Sequence, residues 1–357
     1  MSKRSGSLQS KRSDPLQPTV FCGVDVSAAT LAVAIQQDDQ PLEQREFANN
    51  ASGHKALIAC LHKRKARARV SLEATGIYSL DLGLALDAAE QIEVAVLNPK
   101  VVNRFAQSLR RSKTDSADAW VLAEYSQRMG FAAWRAPSRS GLQLRMISRH
   151  IDGLTIEHTR EQNRLHAARG SATPGCVVQD LKRSLASLER RMVRLRREAM
   201  GLIQSDETLR RRFELMISVP GIAQISALQV LGELATLSPE LSVRQWVAHS
   251  GLDPVHEDSG TSVHRPSRIS RAGNRHLRRA LYMPALVAVQ RDPHLRAFYE
   301  LLQSRHKAKL QALIAVARKL LHAIYGIFRS QQPYDGRKLF PALPLKEKKT
   351  LQIERES

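Results

Sequence analysis

The sequence holds only three cysteines, Cys22, Cys60 and Cys176, far apart and without a CxxC pair. That excludes a recognisable disulfide framework or cysteine zinc site. Acidic residues are also scarce: 34 Asp and Glu face 55 Lys and Arg, for a net charge of +21, and the pI is near 10.5. A surplus of this size must meet an anionic partner or be diluted by salt. Long hydrophobic runs are lacking too. The most apolar stretch, Ala280 to Val289, is ten residues long and contains Pro284, whereas a membrane-spanning helix needs about 20. Nucleic acid, not a membrane, is therefore the expected partner, since cationic side chains displace counterions condensed on phosphates. The opening MSKRSGSLQSKRSDP is polar and basic, which predicts no secretory signal and a reducing, cytoplasmic setting.

What is present suffices for a packed protein. The 357 residues are 43% apolar, enough for two or three domains with cores. Residues 1–18 are rich in Ser, Lys, Arg and Pro and read as a disordered basic tail, either solubilising or an auxiliary nucleic-acid contact. Two short β-rich segments fill residues 19–37, and a third strand is expected at Glu43 to Phe47. A helix is expected over 52–64 and a strand over Arg69 to Glu73, stopped by Ala74-Thr75-Gly76. Helix 77–90, strand Ile92 to Leu97 and helix 114–129, with Thr114 as N-cap, follow. Strands first, then strands alternating with helices, predict a mixed α/β sheet flanked by helices over residues 19–135.

From about 136 to 210 the pattern becomes helical. Leu181, Leu185, Leu188, Met192, Leu195, Ala199 and Leu202 keep a heptad register, with Arg and Lys filling most of the positions between. An earlier helix over 139–168 and a turn at 171–175 complete a coiled-coil hairpin. It either pairs with another copy or packs only on its own chain, and the regular heptad favours pairing. Residues 211–335 read as a mainly helical domain with one irregular loop from Gly251 to Gly273. Residues from 331 onward read as a frayed polar tail, with 336–357 outside the last domain.

Four acids draw attention. Asp25 lies within an apolar strand and Glu73 ends another; Asp115 and Asp118 are three apart on one face of a helix. Acids from two strands and one helix can converge in an α/β sheet, and their repulsion would be relieved by Mg²⁺, the usual cation for oxygen ligands beside phosphate. Plainer readings exist: a DxxD pair is often solvated or capping, and Glu73 can be an exposed strand end. Asp25 resists such a reading, since a carboxylate among buried neighbours is costly.

The third region is basic. Ser218-Val219-Pro220-Gly221-Ile222 opens a helix, so the turn at Gly221 offers backbone N–H groups to a phosphate, or is a simple helix start. Arg265, Arg268, Arg271, Arg275, Arg278 and Arg279 follow without an acid among them. Solvated faces usually mix signs, so this run predicts phosphate contact. Gly273-Asn274 breaks the run and should start a helix. Just before it, Ser259 sits in His256-Glu257-Asp258-Ser259-Gly260-Thr261-Ser262. A hydroxyl there can attack a phosphodiester, although the local sequence alone favours a turn serine.

GVDV, SLEATGIY, NP, KTDSADA, VPGI, SGTS, SRAGN and RRALYMPA occur in that order between residues 19 and 335. This ordered set resembles the DEDD transposases of insertion sequences, relatives of the Piv DNA invertase. The resemblance implies an RNase H-like, RuvC-like N-terminal domain whose metal-binding quartet is Asp25, Glu73, Asp115 and Asp118, holding Mg²⁺ or Mn²⁺. It implies a coiled-coil hairpin, then a C-terminal transposase domain with Ser259 as the catalytic serine. Residues 1–18 extend beyond the family's usual start. The implied partners are donor and target DNA, a noncoding bridge RNA, and further copies of the chain as a homodimer or homotetramer. The implied location is the bacterial nucleoid. A RuvC-like junction resolvase, which needs the four acids but not Ser259, is the rival enzyme reading; a nucleic-acid-binding protein that never cuts is the other.

Overall fold

The computed structural model describes residues 19–37, 40–74, 76, 78–109, 115–259 and 263–339. The basic tail at 1–18, residues 340–357 and the Thr114 cap lie outside the described residues. The chain divides into two compact units, one through Ala136 and one from Pro137.

The first unit is built on five strands: β1 (Thr19–Val26), β2 (Thr30–Gln37), β3 (Glu43–Ala48), β4 (Arg67–Glu73) and β5 (Ile92–Leu97). Their order is β3-β2-β1-β4-β5. The first three are antiparallel; β4 and β5 run parallel to β1. This mixed sheet is compatible with the RNase H-like fold expected from the sequence. Helices α1 (Ala51–His62), α2 (Leu80–Asp87), α3 (Pro99–Leu109) and α4 (Asp115–Arg128) complete the unit. Asn50 caps α1 by accepting from the Ser52 and Gly53 amides, both at 3.0 Å, satisfying two donors a helix start leaves open.

Strand alternation sorts the sheet faces. Val20, Cys22 and Val24 of β1 join Val70 and Leu72 of β4 in a core completed by Leu57 and Leu61 of α1 and Leu82 and Leu86 of α2. Each fully buried leucine contributes roughly 1.5–3 kcal/mol. The opposite face is lined by small residues. A Cβ on Gly23 would stand 1.9 Å from the Ala119 carbonyl oxygen of α4, so only glycine lets that helix approach β1 as closely as it does. Ala34 packs there with Ala119 and Ala123, and Ser71 shares a 2.5 Å hydrogen bond with Ser126. Helix α3 was not anticipated; Asn98-Pro99 reads as a strand stop, but its Pro is also the first residue of a helix, where a missing N–H costs nothing.

The second unit is mainly helical: α5 (Arg139–Arg169), α6 (Gly175–Ser205), α7 (Glu207–Ile217), α8 (Gln224–Leu234), α9 (Val243–Ser250), α10 (Arg275–Ala280), α11 (Tyr282–Arg291), α12 (Pro293–Ser304), α13 (Lys309–Ser330) and α14 (Gly336–Leu339), with strands β6 (Pro254–Ser259) and β7 (Val263–Ile269) between α9 and α10. Helices α5 and α6 run antiparallel: Thr155 meets Met192 and His158 meets Glu189. Leu154, Leu188 and Met192 form the seam. Nearer the base, Leu144, Ile151, Ala199 and Ile203 join the main core with α8 and α13.

Two expectations are corrected. The stretch 251–273 is not irregular throughout, because β6 and β7 pair as an antiparallel hairpin with a bulge between Val255 and Glu257. The chain after 331 does not fray at once: the Tyr334 amide donates to Ser218 Oγ at 2.9 Å, and α14 follows. The sequence also conceals one long apolar helix. The 22 residues of α13 are long and apolar enough to cross a membrane, but half of its most apolar stretch is buried inside the protein. Val316, Leu320, Leu321 and Ile324 are core residues, so the helix owes its apolarity to packing.

Candidate functional site

The candidate acids of the first unit are positioned by strand register and by α4. Val24 pairs with Leu72 across the parallel β1–β4 ladder. Asp25 and Glu73 are the next residues on the two strands, each one position past that last pair. Asp25 shares a face with Gly23, and Glu73 with Ser71, since alternate residues face the same way. That is the face α4 crosses. Asp118 directly precedes Ala119, whose carbonyl touches the Gly23 position, and Asp115 is the first residue of α4, one turn earlier. Asp25, Glu73 and Asp118 are all half-buried. The side chain of Asp115 lies outside the described residues. Among the described residues no group of three or more His, Cys, Asp or Glu stands close enough to hold a metal ion. Asp25 and Glu73 offer carboxylate oxygens on the sheet face that α4 crosses, a donor chemistry that would suit Mg²⁺ or Mn²⁺.

The candidate serine lies in the other unit. Ser259 is the last residue of β6 and pairs with Val263; Glu257 pairs with Arg265. Thr261 and Ser262, the alternative hydroxyls, lie outside the described residues. Downstream, the hairpin is tied to the helical body. Ser270 Oγ donates to Asp253 at 2.6 Å, and the Asn274 amide donates to the His249 carbonyl at 2.6 Å. Asn274 starts α10 as the sequence suggested, its side-chain oxygen accepting from the His276 and Leu277 amides at 3.0 and 3.2 Å.

The six arginines do not share one role. Arg268, Arg271 and Arg275 are exposed, and Arg265 lies on β7. Arg278 donates to the Ser250 carbonyl at 2.8 Å; burial, then the charge of Arg271, pulls its guanidinium below its ordinary pKa. Arg279 pairs with Asp152 at 3.3 Å, so the run has a counter-charge that its local sequence does not reveal. Gly221 has its own structural reason. Its φ is +93, and a Cβ there would lie 2.5 Å from the Pro284 carbonyl oxygen of α11.

Sequence reasoning missed the buried polar cluster beneath this region. Glu233 of α8 is 2% exposed. It accepts from Arg149 Nε and Nη2 at 2.7 and 2.9 Å and from Asn274 Nδ2 at 2.6 Å. Burial pushes its carboxyl upward, but the Arg149 and Asn274 hydrogen bonds outweigh this and hold it below the usual carboxylate range. Burial lowers the pKa of neighbouring His249 against the pull of Glu233. Beside this cluster, Asp152 faces His276 Nδ1 at 3.1 Å. One signal was available: Glu233 is an acid inside the apolar run ALQVLGEL.

Comparison with known proteins matches both units. Residues 22–169 match the DEDD family model described as "Transposase". Residues 214–300 match the model of the transposase IS116/IS110/IS902 family. The chain is 29% identical to the pilin gene-inverting protein of Moraxella bovis, over 89% of this chain and 98% of that protein. It is 26% identical to the insertion element IS110 uncharacterized 43.6 kDa protein of Streptomyces coelicolor, over 86% of this chain and 76% of that protein. It is 25% identical to the insertion element IS116 uncharacterized 44.8 kDa protein of Streptomyces clavuligerus, over 91% and 97%.

Proposed function

The chain belongs to the DEDD transposases of the IS110/IS116 family and is thus a DNA transposase and recombinase, and we propose that it cuts and rejoins strands with the carboxylates of Asp25, Glu73, Asp115 and Asp118 acting together with Ser259. One observation carries most of this reading. Asp25 and Glu73 follow the last paired residues of two neighbouring parallel strands, on the sheet face crossed by the helix that bears Asp115 and Asp118.

Mg²⁺ or Mn²⁺ held by those oxygens neutralises phosphate charge and makes the phosphorus more electrophilic. The remaining chemistry belongs to the chain. Ser259 Oγ attacks the phosphorus, losing its proton to water. A new Oγ–P bond forms as the bond from phosphorus to a deoxyribose oxygen breaks, and that oxygen takes up a proton. The phosphoserine conserves the energy of the broken diester, so rejoining by the reverse attack needs no ATP. Arg265, Arg268, Arg271 and Arg275 bring positive charge to the stretch that follows the serine, where charge developing on phosphate is stabilised. Such backbone contacts carry no sequence information. Choice of donor and target then falls to a noncoding bridge RNA paired with both DNAs, as the family resemblance implies.

The test is a nicked substrate that traps the intermediate, followed by denaturing electrophoresis. Wild type leaves protein joined to DNA, excess chelator prevents it, and Ser259→Ala binds DNA without forming the adduct. An adduct that survives in Ser259→Ala and vanishes in Ser262→Ala moves the nucleophile. Products cut by water with no adduct in any variant replace this reading with hydrolysis by a junction resolvase.

A further inference from the structure

Helix α6 has two opposite faces. Leu188 and Met192 are buried against Leu154 of α5. On the other side stand Arg183, Arg190, Arg194 and Arg197, all exposed. Their separations of seven, four and three residues keep them on one line along a helix. At 1.5 Å per residue the line extends about 21 Å. Among the described residues none of the four is paired with an acid. Glu189, the acid between Arg183 and Arg190, is turned toward His158 at 3.1 Å; Glu198 borders the far end. A shallow groove runs along the line, lined by Ala186, Glu189, Arg190, Val193, Arg194 and Arg197. Val193 within it is 54% exposed.

We propose that this outer face of α6 is a docking surface for the sugar–phosphate backbone of duplex DNA, outside the candidate catalytic residues. Charge selects the class of partner. A second copy of the same face would set arginine against arginine, whereas a polyanion is complementary. Shape selects the duplex. A line of about 21 Å on a stiff helix spans roughly six base pairs at 3.4 Å each. A duplex stiff over about 150 base pairs presents its phosphates at fixed spacing; a flexible single strand has no need of a straight track. Arg278 and Arg279 already have partners in their own chain, so the basic stretch near Ser259 does not hold all the cations available to DNA. The exposed Val193 supplies an apolar contact for deoxyribose between the charged ones.

The experiment uses the full chain carrying Ser259→Ala, so that binding is read apart from any covalent step. Affinity for a duplex of arbitrary sequence is measured across a KCl series, with and without Arg183→Gln, Arg190→Gln, Arg194→Gln and Arg197→Gln together. Each phosphate contact contributes about −0.9 to the slope of log affinity against log salt. The slope should therefore flatten by about 3 to 4 in the fourfold variant, equally for unrelated sequences. The four Arg→Lys replacements should restore most of it. The double variant Arg190→Gln/Arg194→Gln, expected to flatten the slope by about 2, decides the matter if the fourfold variant does not fold. An unchanged slope on duplex DNA overturns the proposal. So does a loss confined to RNA, or a loss of self-association with DNA binding intact. None of these outcomes bears on the identity of the nucleophile, which the adduct assay tests separately.

Discussion

Glu233 is charged, 2% exposed, and held by Arg149 and Asn274. Through Asn274 the same carboxylate fixes the start of α10 and the end of the segment that carries the hairpin. Removing one partner from a buried ion pair typically costs about 3–5 kcal/mol, so Glu233→Ala should lower the unfolding free energy of the second unit by an amount of that order in a denaturant titration. Two groups here also make stability depend on pH in the same direction. His249 is held neutral below its ordinary 6.5, so the unfolded chain takes up a proton first. That contribution is full above pH 6.5 and falls as the solution is acidified. Glu233 is held below its ordinary 4.5, so its contribution is full above 4.5 and is lost below it. Melting temperature should therefore decline in two stages on acidification, and Glu233→Gln should remove the lower stage. A single decline common to both proteins would exclude Glu233 as its source. The residue was legible only as an oddity, an acid in an apolar helix. Its partners lie 84 positions before it and 41 after it, separations over which no local pattern operates.

At the scale of elements, periodicity carried most of what the sequence revealed. The strands of the first unit and the two long helices were legible because alternation and the heptad survive in the residues that pack. What the heptad did not disclose was its partner. Leu188 and Met192 meet Leu154 of the same chain, and Ala199 joins the core of the second unit. Leu188→Ala should accordingly destabilise the isolated chain by about 2–5 kcal/mol, the usual cost of emptying a leucine site, with a loss independent of protein concentration. A loss that disappears as concentration rises would assign the seam to contacts between copies. The β6–β7 hairpin escaped notice for the opposite reason. VHRPSRI alternates poorly and contains a proline, so its backbone pairing to PVHEDS leaves no period-two signal in the sequence.

The whole molecule divides its candidate chemistry between two units. The first bears the four acids and the second bears Ser259, and both were legible as short ordered motifs rather than as patterns of folding. Register sets Asp25 and Glu73 each one residue past the last pair of the β1–β4 ladder, which no local rule could have told from the sequence, because it depends on pairing strands 48 positions apart. Recombination needs two DNA partners held together, which favours an assembly of at least two chains. A serine on one unit and acids on the other then allow the reacting set to be completed between protomers, as the family resemblance suggests. This arrangement makes an asymmetric prediction. Ser259→Ala and Asp25→Asn chains should each be inactive alone, since each lacks one half of every set. Mixed and allowed to exchange, some assemblies pair the intact serine of one chain with the intact acids of the other. For random dimers at equal amounts, half are mixed, and each mixed dimer holds one complete set and one doubly defective set. Strand exchange should thus return to roughly a quarter of wild-type sites and peak at equal mixing, as binomial pairing requires. If the set is instead completed within one chain, every assembly is defective at all of its sites, and no mixing ratio restores activity.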